Sequence, residues 1–244
     1  MKLKGGVIII GSLIWEDHLK EKDKDNIRRD WRNKYLLDND NRYFTKVPIR
    51  YGRESQTRNY TYTMIFSKSY EAKLGQGIIL PFNEEIISFE SIEIQAKALA
   101  VAEGIYKKSN RRLTTSWGSV AILINPEVEN EDPDSFALIK NKWSDIYSNY
   151  RNTFNYKNYK TESENESVIT PDGFLNINWQ YQSGMKDFDI LIATPVIPEP
   201  KRILTSSEIA DRINEKKDSN YFKKNRENKI ESFDDIEIER NINN

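Results

Sequence analysis

The sequence predicts a mixed α+β fold, because short β-branched runs and segments of helical periodicity follow one another along the chain. The run Gly6–Ile10 is β-branched and apolar on both parities, as expected of a central strand that is covered on both faces. The segment Ser88–Ala102 instead repeats its apolar residues at helical spacing, and Gly104 ends it. Both kinds of element therefore contribute to one core.

The remaining elements follow from the same two periodicities. A late run, Asp189–Val196, is apolar enough to need cover on both faces, so we expect it in the main sheet. This makes residues 1–231 one domain, with 126–231 as a C-terminal extension and Ser232–Asn244 as a polar, frayed tail. The other predicted strands are Val47–Arg50, Tyr60–Phe66, Gln76–Pro81 and Trp117–Ile124, and the other predicted helices are Ser135–Tyr150 and Ser207–Lys216.

The amino-acid composition excludes several classes of partner and site. Of the 244 residues 37% are hydrophobic, enough for a sizeable core, while 37 Lys and Arg against 38 Asp and Glu leave a net charge of -1. No global field attracts nucleic acid or lipid headgroups, so neither nucleic acid nor a membrane is a predicted partner. The chain has no cysteine, which excludes disulfides, a thiol nucleophile and thiolate metal sites and favours the cytoplasm. No metal site is predicted.

The first candidate site is the loop Gly11–Glu16, directly after the first predicted strand. A glycine at a strand end allows a sharp turn and exposes successive backbone amides, here those of Ser12, Leu13 and Ile14. Such amides can hold a carboxylate or a carbonyl oxygen. The alternative is a plain turn to the surface, in which Leu13 and Trp15 fill the core.

The second candidate segment, Arg50–Arg58, carries three arginines in nine residues. Arg50 and Arg53 could bind a ligand carboxylate through two parallel hydrogen bonds, and Tyr51 could supply a hydroxyl or a stacking face. The alternative is a solvated, charged loop. The other predicted ligand-binding residues of the segment are Gly52, Ser55 and Arg58.

The third candidate is Glu103, which continues the apolar stripe of the preceding helix. Ile92, Ala96 and Leu99 are spaced i, i+4 and i+7, and Glu103 is i+11. Partial burial and the negative end of the helix dipole both raise the pKa of such a carboxylate, toward that of a general acid or base. The alternative is a frayed last turn that leaves Glu103 in water.

In their order along the chain, these segments resemble the gamma-glutamylcyclotransferase superfamily, in particular its glutathione-specific branch related to cation-transport-regulator proteins. The family's Tyr-Gly-Ser-Leu-Ile-Trp-type loop is matched by Gly11–Trp15, with Ile10 where the tyrosine usually stands. Its Arg-x-Phe/Tyr-x-Gly-x-x-Ser/Thr-x-x-Arg-Gly segment is loosely similar to Arg50–Asn59, and its short glycine-led strand to Gly77–Leu80. The Leu-x-x-x-Glu-Gly context of the family's catalytic glutamate is matched by Leu99–Gly104.

The resemblance covers roughly residues 6–125 and implies a fold, a site and a reaction. The implied fold is a compact mixed sheet or barrel with surrounding helices, and the implied site is a cleft at the end of the first strand. The implied enzyme, of acyltransferase or lyase type, releases 5-oxoproline from a small molecule that carries a γ-glutamyl group and needs no cofactor. Glu103 would be the general acid and base, Ser12–Ile14 amides would hold a carboxylate or an oxyanion, and Arg50 or Arg53 would neutralise a second carboxylate.

A function from another class stays open. The same cleft could capture a small molecule or a peptide end without turnover, as a sensor or a partner-recognition protein. The missing loop tyrosine at Ile10 and the unfamiliar half from Pro126 to Asn244 favour this binding module. Glu103 favours the enzyme, because a binding module has no need of a carboxylate at the end of an apolar helix face.

Overall fold

The computed structural model of the chain describes residues 1–19, 25–107, 109–150 and 152–242. These residues form seven strands and seven α-helices, which confirms the predicted mixed α+β class. The strands are β1 (Gly5–Ile9), β2 (Tyr43–Val47), β3 (Ile49–Ser55), β4 (Thr61–Phe66), β5 (Gly75–Pro81), β6 (Ala121–Ile124) and β7 (Ile190–Ala193). The helices are α1 (Ile27–Tyr35), α2 (Phe89–Ala102), α3 (Pro126–Glu131), α4 (Pro133–Ser148), α5 (Ser206–Lys216), α6 (Asn220–Glu227) and α7 (Asp235–Ile242).

Five of the strands form an open mixed sheet in the order β2-β5-β1-β7-β6. The central strand β1 is antiparallel to β5 and parallel to β7, with Val7 opposite both Leu80 and Ile192. Strands β3 and β4 form a separate antiparallel hairpin. The predicted barrel is therefore wrong: β2 and β6 lie at opposite ends of the sheet order, and the hairpin does not join them.

The core is one hydrophobic cluster that contains residues from both halves of the chain. All five residues of β1 are buried, as the continuous apolar run predicts, and β7 lies beside it, where the sequence predicts a buried strand. Helix α2 contributes Ile92 and Leu99, which are fully buried, to this cluster, and α1 packs on α2. The domain boundaries themselves stay a prediction. None of the described helices has the length and apolar character that crossing a membrane requires.

Two polar segments are more structured than the sequence predicts. In place of a frayed tail, the C-terminal segment contains helix α7, which packs on α5 and buries Ile238 completely; residues 243–244 lie outside the described part of the chain. The sequence also predicts that the charged segment Glu16–Asp30 lies outside on the surface. Residues 20–24 of it lie outside the described part of the chain, but α1 begins at Ile27 and buries Arg28 and Trp31. In both segments a few buried side chains anchor a helix that is mostly polar.

Candidate functional site

The end of helix α2 fixes the position of Glu103. The backbone N–H of Gly104 donates to the Val101 carbonyl at 2.9 Å, and that of Ile105 donates to the Ala100 carbonyl at 2.8 Å. These two bonds, with Gly104 at a φ of 73°, form the Schellman motif that closes many helices. Because the last turn is closed by hydrogen bonds, Glu103 is held at the helix terminus, and its side chain is only 18% exposed.

The loop after β1 turns back on itself at once. Ser12–Ile14 form a single 3-10 turn whose three residues are buried. Gly11 precedes it, and a Cβ atom built on Gly11 would lie 2.5 Å from the hydroxyl of Tyr221. A larger residue at this position would have to displace the Tyr221 hydroxyl, which α6 brings against the loop backbone.

A cavity of about 530 Å³ lies between this loop and the end of α2. Its walls come from the ends of β1 and β7, the β3–β4 hairpin, the turn after α2, and helices α1 and α6. Ser12 and Glu103, which are 91 positions apart in the sequence, both border it. Polar side chains line the cavity, and six of them come from five separate segments: Ser12, Arg28, Arg53, Arg58, Glu103 and Thr194.

Arg28 links the two halves of the site. Its Nη2 donates to Glu103 Oε2 at 3.0 Å, and its Nη1 donates to Ser12 Oγ at 3.0 Å and to the Glu16 carboxylate. Its Nε donates to the backbone carbonyl of Ala102 at 3.2 Å, one of the carbonyls left open at the end of α2. One buried guanidinium therefore ties the loop after β1 to the end of α2.

Arg58 completes the network from the hairpin. Its Nη1 donates to Glu16 Oε1 at 3.1 Å and its Nη2 to Glu16 Oε2 at 2.7 Å, two parallel bonds that fit a carboxylate. The same Nη2 donates to Ser12 Oγ at 2.6 Å. The guanidinium carbon lies 4.9 Å from the ring centre of Tyr221 and 5.7 Å from that of Trp15. We call Ser12, Glu16, Arg28, Arg58 and Glu103 the charged network.

The two carboxylates of the charged network are shifted in opposite directions. Burial raises the pKa of Glu103 above its ordinary value, although Arg28 and Arg58 act against the shift. Burial also acts to raise the pKa of Glu16, but hydrogen bonding and charge from Arg58, with the charge of Arg28, outweigh it and lower that pKa. Glu103 is therefore suited to exchanging a proton, while Glu16 stays ionised.

The structure brings together seven of the residues that the sequence predicts for the site. All seven line the cavity. The guanidinium of Arg53 is already bonded to other groups: its Nη1 donates to the Ile197 carbonyl at 2.6 Å, and its Nη2 lies 3.4 Å from Glu199. Ile14 does not line the cavity and is buried in the core. The seven are Gly11, Ser12, Leu13, Arg53, Ser55, Arg58 and Glu103.

Three further predicted ligand-binding residues, Arg50, Tyr51 and Gly52, do not line the cavity. Arg50 is 1% exposed, and its Nε donates to Ser67 Oγ at 2.9 Å, so its guanidinium is part of the core. Tyr51 is 2% exposed and its ring packs against those of α6. A Cβ atom on Gly52 would lie 2.4 Å from Arg50 Nη1, so this glycine admits the buried guanidinium instead of a ligand.

A bulge in the hairpin separates Arg50 from the arginines that reach the cavity. The pairing of β3 with β4 shifts by one residue between Tyr51 and Arg53. In a regular strand alternate side chains point to the same face, but this shift breaks the alternation. The face on which Arg50 lies therefore does not predict the face on which Arg53 lies. Arg58 lies beyond the strand, in a 3-10 turn at the tip of the hairpin.

Sequence reasoning missed Arg28 and Tyr221 as parts of the site, and it placed Glu16 at the end of the candidate loop without giving it a role. Arg28 lies in a charged segment predicted to be on the surface, yet Trp31 and Tyr35 follow it at i+3 and i+7. That short stripe indicates a helix with a buried face, and Arg28 is its first member. No comparable signal marks Tyr221, because its place at the cavity depends on how α6 packs.

The chemistry of the site is that of acid, base and anion binding. The described residues contain no group of three or more histidine, cysteine, aspartate or glutamate side chains placed to hold a metal ion. The charged partners of Glu16 and Glu103 are Arg28 and Arg58. Comparisons of the chain with models of known protein families, with curated proteins and with solved structures found no match.

Proposed function

We propose that the protein is a gamma-glutamylcyclotransferase-like enzyme that releases 5-oxoproline from a small γ-glutamyl compound. Its fold would be an open variant of the family's sheet, and its cysteine-free composition favours work in the cytoplasm. One observation carries the proposal. Two segments named by the family resemblance, the Gly11–Trp15 loop and the Leu99–Gly104 helix end, border one cavity, with Arg28 bonded to Ser12 and Glu103.

The reaction needs one group that accepts and returns a proton. The substrate's α-amine loses a proton to Glu103 as its lone pair forms a bond to the γ-carbonyl carbon. The bond from that carbon to the leaving nitrogen then breaks, and Glu103 returns the proton to this nitrogen. The products are 5-oxoproline and a free amine, so the step consumes no water and uses no cofactor. Burial raises the pKa of Glu103, which suits it to both roles.

Positioning supplies most of the remaining rate enhancement, because the attack is intramolecular. The cavity of about 530 Å³ leaves room for a leaving group beyond the γ-glutamyl half. The backbone of Gly11, Ser12 and Leu13 borders it, so holding the oxyanion or a carboxylate stays the role proposed for the loop amides. Arg28 and Arg58 replace Arg50 as the residues proposed to bind a substrate carboxylate.

A binding module is the second candidate function, and one observation favours it. Glu103 already forms an ion pair with Arg28, with Nη2 to Oε2 at 3.0 Å. The charged network holds two arginines and two carboxylates and is balanced without a ligand. A binding module has no need of an unpaired base, so a Glu103 that is already paired with Arg28 is compatible with it. The enzyme is preferred because burial still leaves the pKa of Glu103 raised beside both arginines.

The decisive experiment replaces Glu103 by Gln, which keeps the shape of the side chain but removes the exchangeable proton. Release of 5-oxoproline from glutathione, γ-glutamyl amino acids and γ-glutamylamines is expected to fall by about 10²–10⁴-fold. Binding of the substrate should persist, because the neighbouring arginines are unchanged.

Glu54→Gln is the matched control, since Glu54 also lines the cavity but pairs with Arg212. It should keep nearly full activity. Equal activity of wild type and Glu103→Gln would remove Glu103 from the mechanism. No product from the wild type with any of these substrates would favour the binding module.

A further inference from the structure

The pair of parallel hydrogen bonds between Arg58 and Glu16 has the geometry of a ligand-binding contact. Two guanidinium nitrogens of Arg58 donate to the two oxygens of one carboxylate, and Arg28 donates to the same group. Ser12 Oγ accepts from both arginines, at 3.0 and 2.6 Å, and so fixes their relative position. Such a set of donors is a preorganised receptor for a carboxylate.

The receptor residues belong to the cavity wall, whereas the carboxylate that now occupies them belongs to Glu16, at the far end of the Gly11–Glu16 loop. Ser12, Arg28 and Arg58 line the cavity, and Glu16 does not. The Glu16 side chain is 25% exposed, so its carboxylate lies at the edge of the protein surface. Its backbone is held separately, because its N–H donates to the Ser12 carbonyl at 2.8 Å. The carboxylate can therefore leave without unfolding the loop.

We infer that Ser12, Arg28 and Arg58 form a carboxylate-binding subsite, which Glu16 occupies until the carboxylate of a ligand displaces it. The ligand class is a small molecule with a carboxylate that reaches this wall. The inference deepens the proposed function and takes from it the expectation that the ligand is a γ-glutamyl compound. The binding of carboxylates is tested below with compounds that the enzyme cannot cyclise. The result of that test therefore does not depend on whether the protein releases 5-oxoproline.

Exchange of one carboxylate for another keeps the site neutral. Both guanidinium groups are largely buried, at 9% and 14% side-chain exposure, and a buried cation without a partner is costly. Glu16 removes that cost in the free protein. It also competes with the ligand, so the apparent affinity of the wild type is below that of the bare subsite.

Chemical rescue tests the inference. Glu16→Ala removes a CH₂–COO⁻ group, and an acetate ion supplies the same atoms in free form. The variant should melt below the wild type, and acetate at about ten times its dissociation constant should raise its Tm by about 3 °C. Sodium chloride at equal ionic strength and neutral acetamide should not. The wild type should show no acetate-specific rise.

Glu199→Ala is the matched control, because Glu199 also lines the cavity but pairs with Arg53 and is mostly exposed. Acetate should leave its Tm unchanged. The inference is overturned if acetate fails to raise the Tm of Glu16→Ala, if chloride does so equally, or if Glu199→Ala responds in the same way.

A second variant decides the matter if Glu16→Ala does not fold. Glu16→Gln keeps the side chain's shape but competes weakly for the arginines. Glutarate, which has two carboxylates and no amine to cyclise, should then bind at least about tenfold more tightly than to the wild type by calorimetry. Equal or weaker binding would show that Glu16 is not a competitor and would overturn the inference.

Discussion

Arg50 and Arg58 come from one nine-residue segment, yet they serve two different buried charge networks. Arg50, in strand β3 of the hairpin, is 1% exposed, and its Nη2 lies 3.9 Å from Glu164. Arg58 lines the cavity and forks onto Glu16. The first network lies in the protein interior, while the second borders the cavity. Burial of an arginine–glutamate pair therefore does not by itself indicate a binding site.

The largest expected effect on stability is at Arg50. Replacing it by Met leaves the Glu164 carboxylate buried without its cation, and such losses cost about 3–5 kcal/mol. Four hydrogen bonds, from Ser67, Ser69 and Thr161, still hold that carboxylate, so we expect a loss of about 3 kcal/mol in urea unfolding. Arg58→Met should lose less, because the cavity admits water to the groups left behind. A smaller loss for Arg50→Met than for Arg58→Met would contradict the comparison.

A smaller effect is expected in the pH dependence of stability, which should differ between Glu103 and Glu16, the two carboxylates bonded to Arg28. The pKa of Glu103 is raised in the folded protein, so the unfolded chain releases its proton first as pH rises above about 4.5. The stability of the wild type relative to Glu103→Gln should therefore decrease as pH rises through that window.

The contribution of Glu16 to stability should change with pH in the opposite direction. Its folded pKa lies below 4.5, so its contribution is present above that pH and is lost as pH falls below it. The stability of the wild type relative to Glu16→Gln should decrease on acidification. Urea unfolding of the three proteins between about pH 3 and 7 measures both slopes. Slopes of the same sign would mean that the two carboxylates are not divided between proton exchange and fixed charge.

The sequence predicted those features that depend on local pattern. The continuous apolar run of β1 predicts a buried central strand, and the stripe through Ile92 and Leu99 predicts a partly buried Glu103, whose side chain is 18% exposed. Gly104 ends the helix through its positive φ, a preference that glycine expresses locally. Elements with a strong period of their own can be predicted without the rest of the fold.

The features that the sequence could not predict depend on contacts between distant segments. Arg28 is buried because α1 packs on α2, although its neighbours are charged. Arg50 is buried near Glu164 while Arg53 reaches the cavity beyond a bulge that shifts the hairpin register, and no local preference of arginine indicates this difference. The barrel was expected from the family resemblance, and closure depends on the pairing of edge strands, which β2 and β6 do not make.

The central claim is that the cavity between Ser12 and Glu103 binds and cyclises a γ-glutamyl compound. Its most direct test is the kinetics of 5-oxoproline release by Arg58→Met and Glu103→Gln, measured beside the wild type. Arg58→Met should chiefly raise KM, by about 30-fold or more, because a charge-paired contact to the substrate is lost. Glu103→Gln should chiefly lower kcat, by about 10²–10⁴-fold. Unchanged kcat and KM in both variants, or a wild type that releases no 5-oxoproline, would contradict the account.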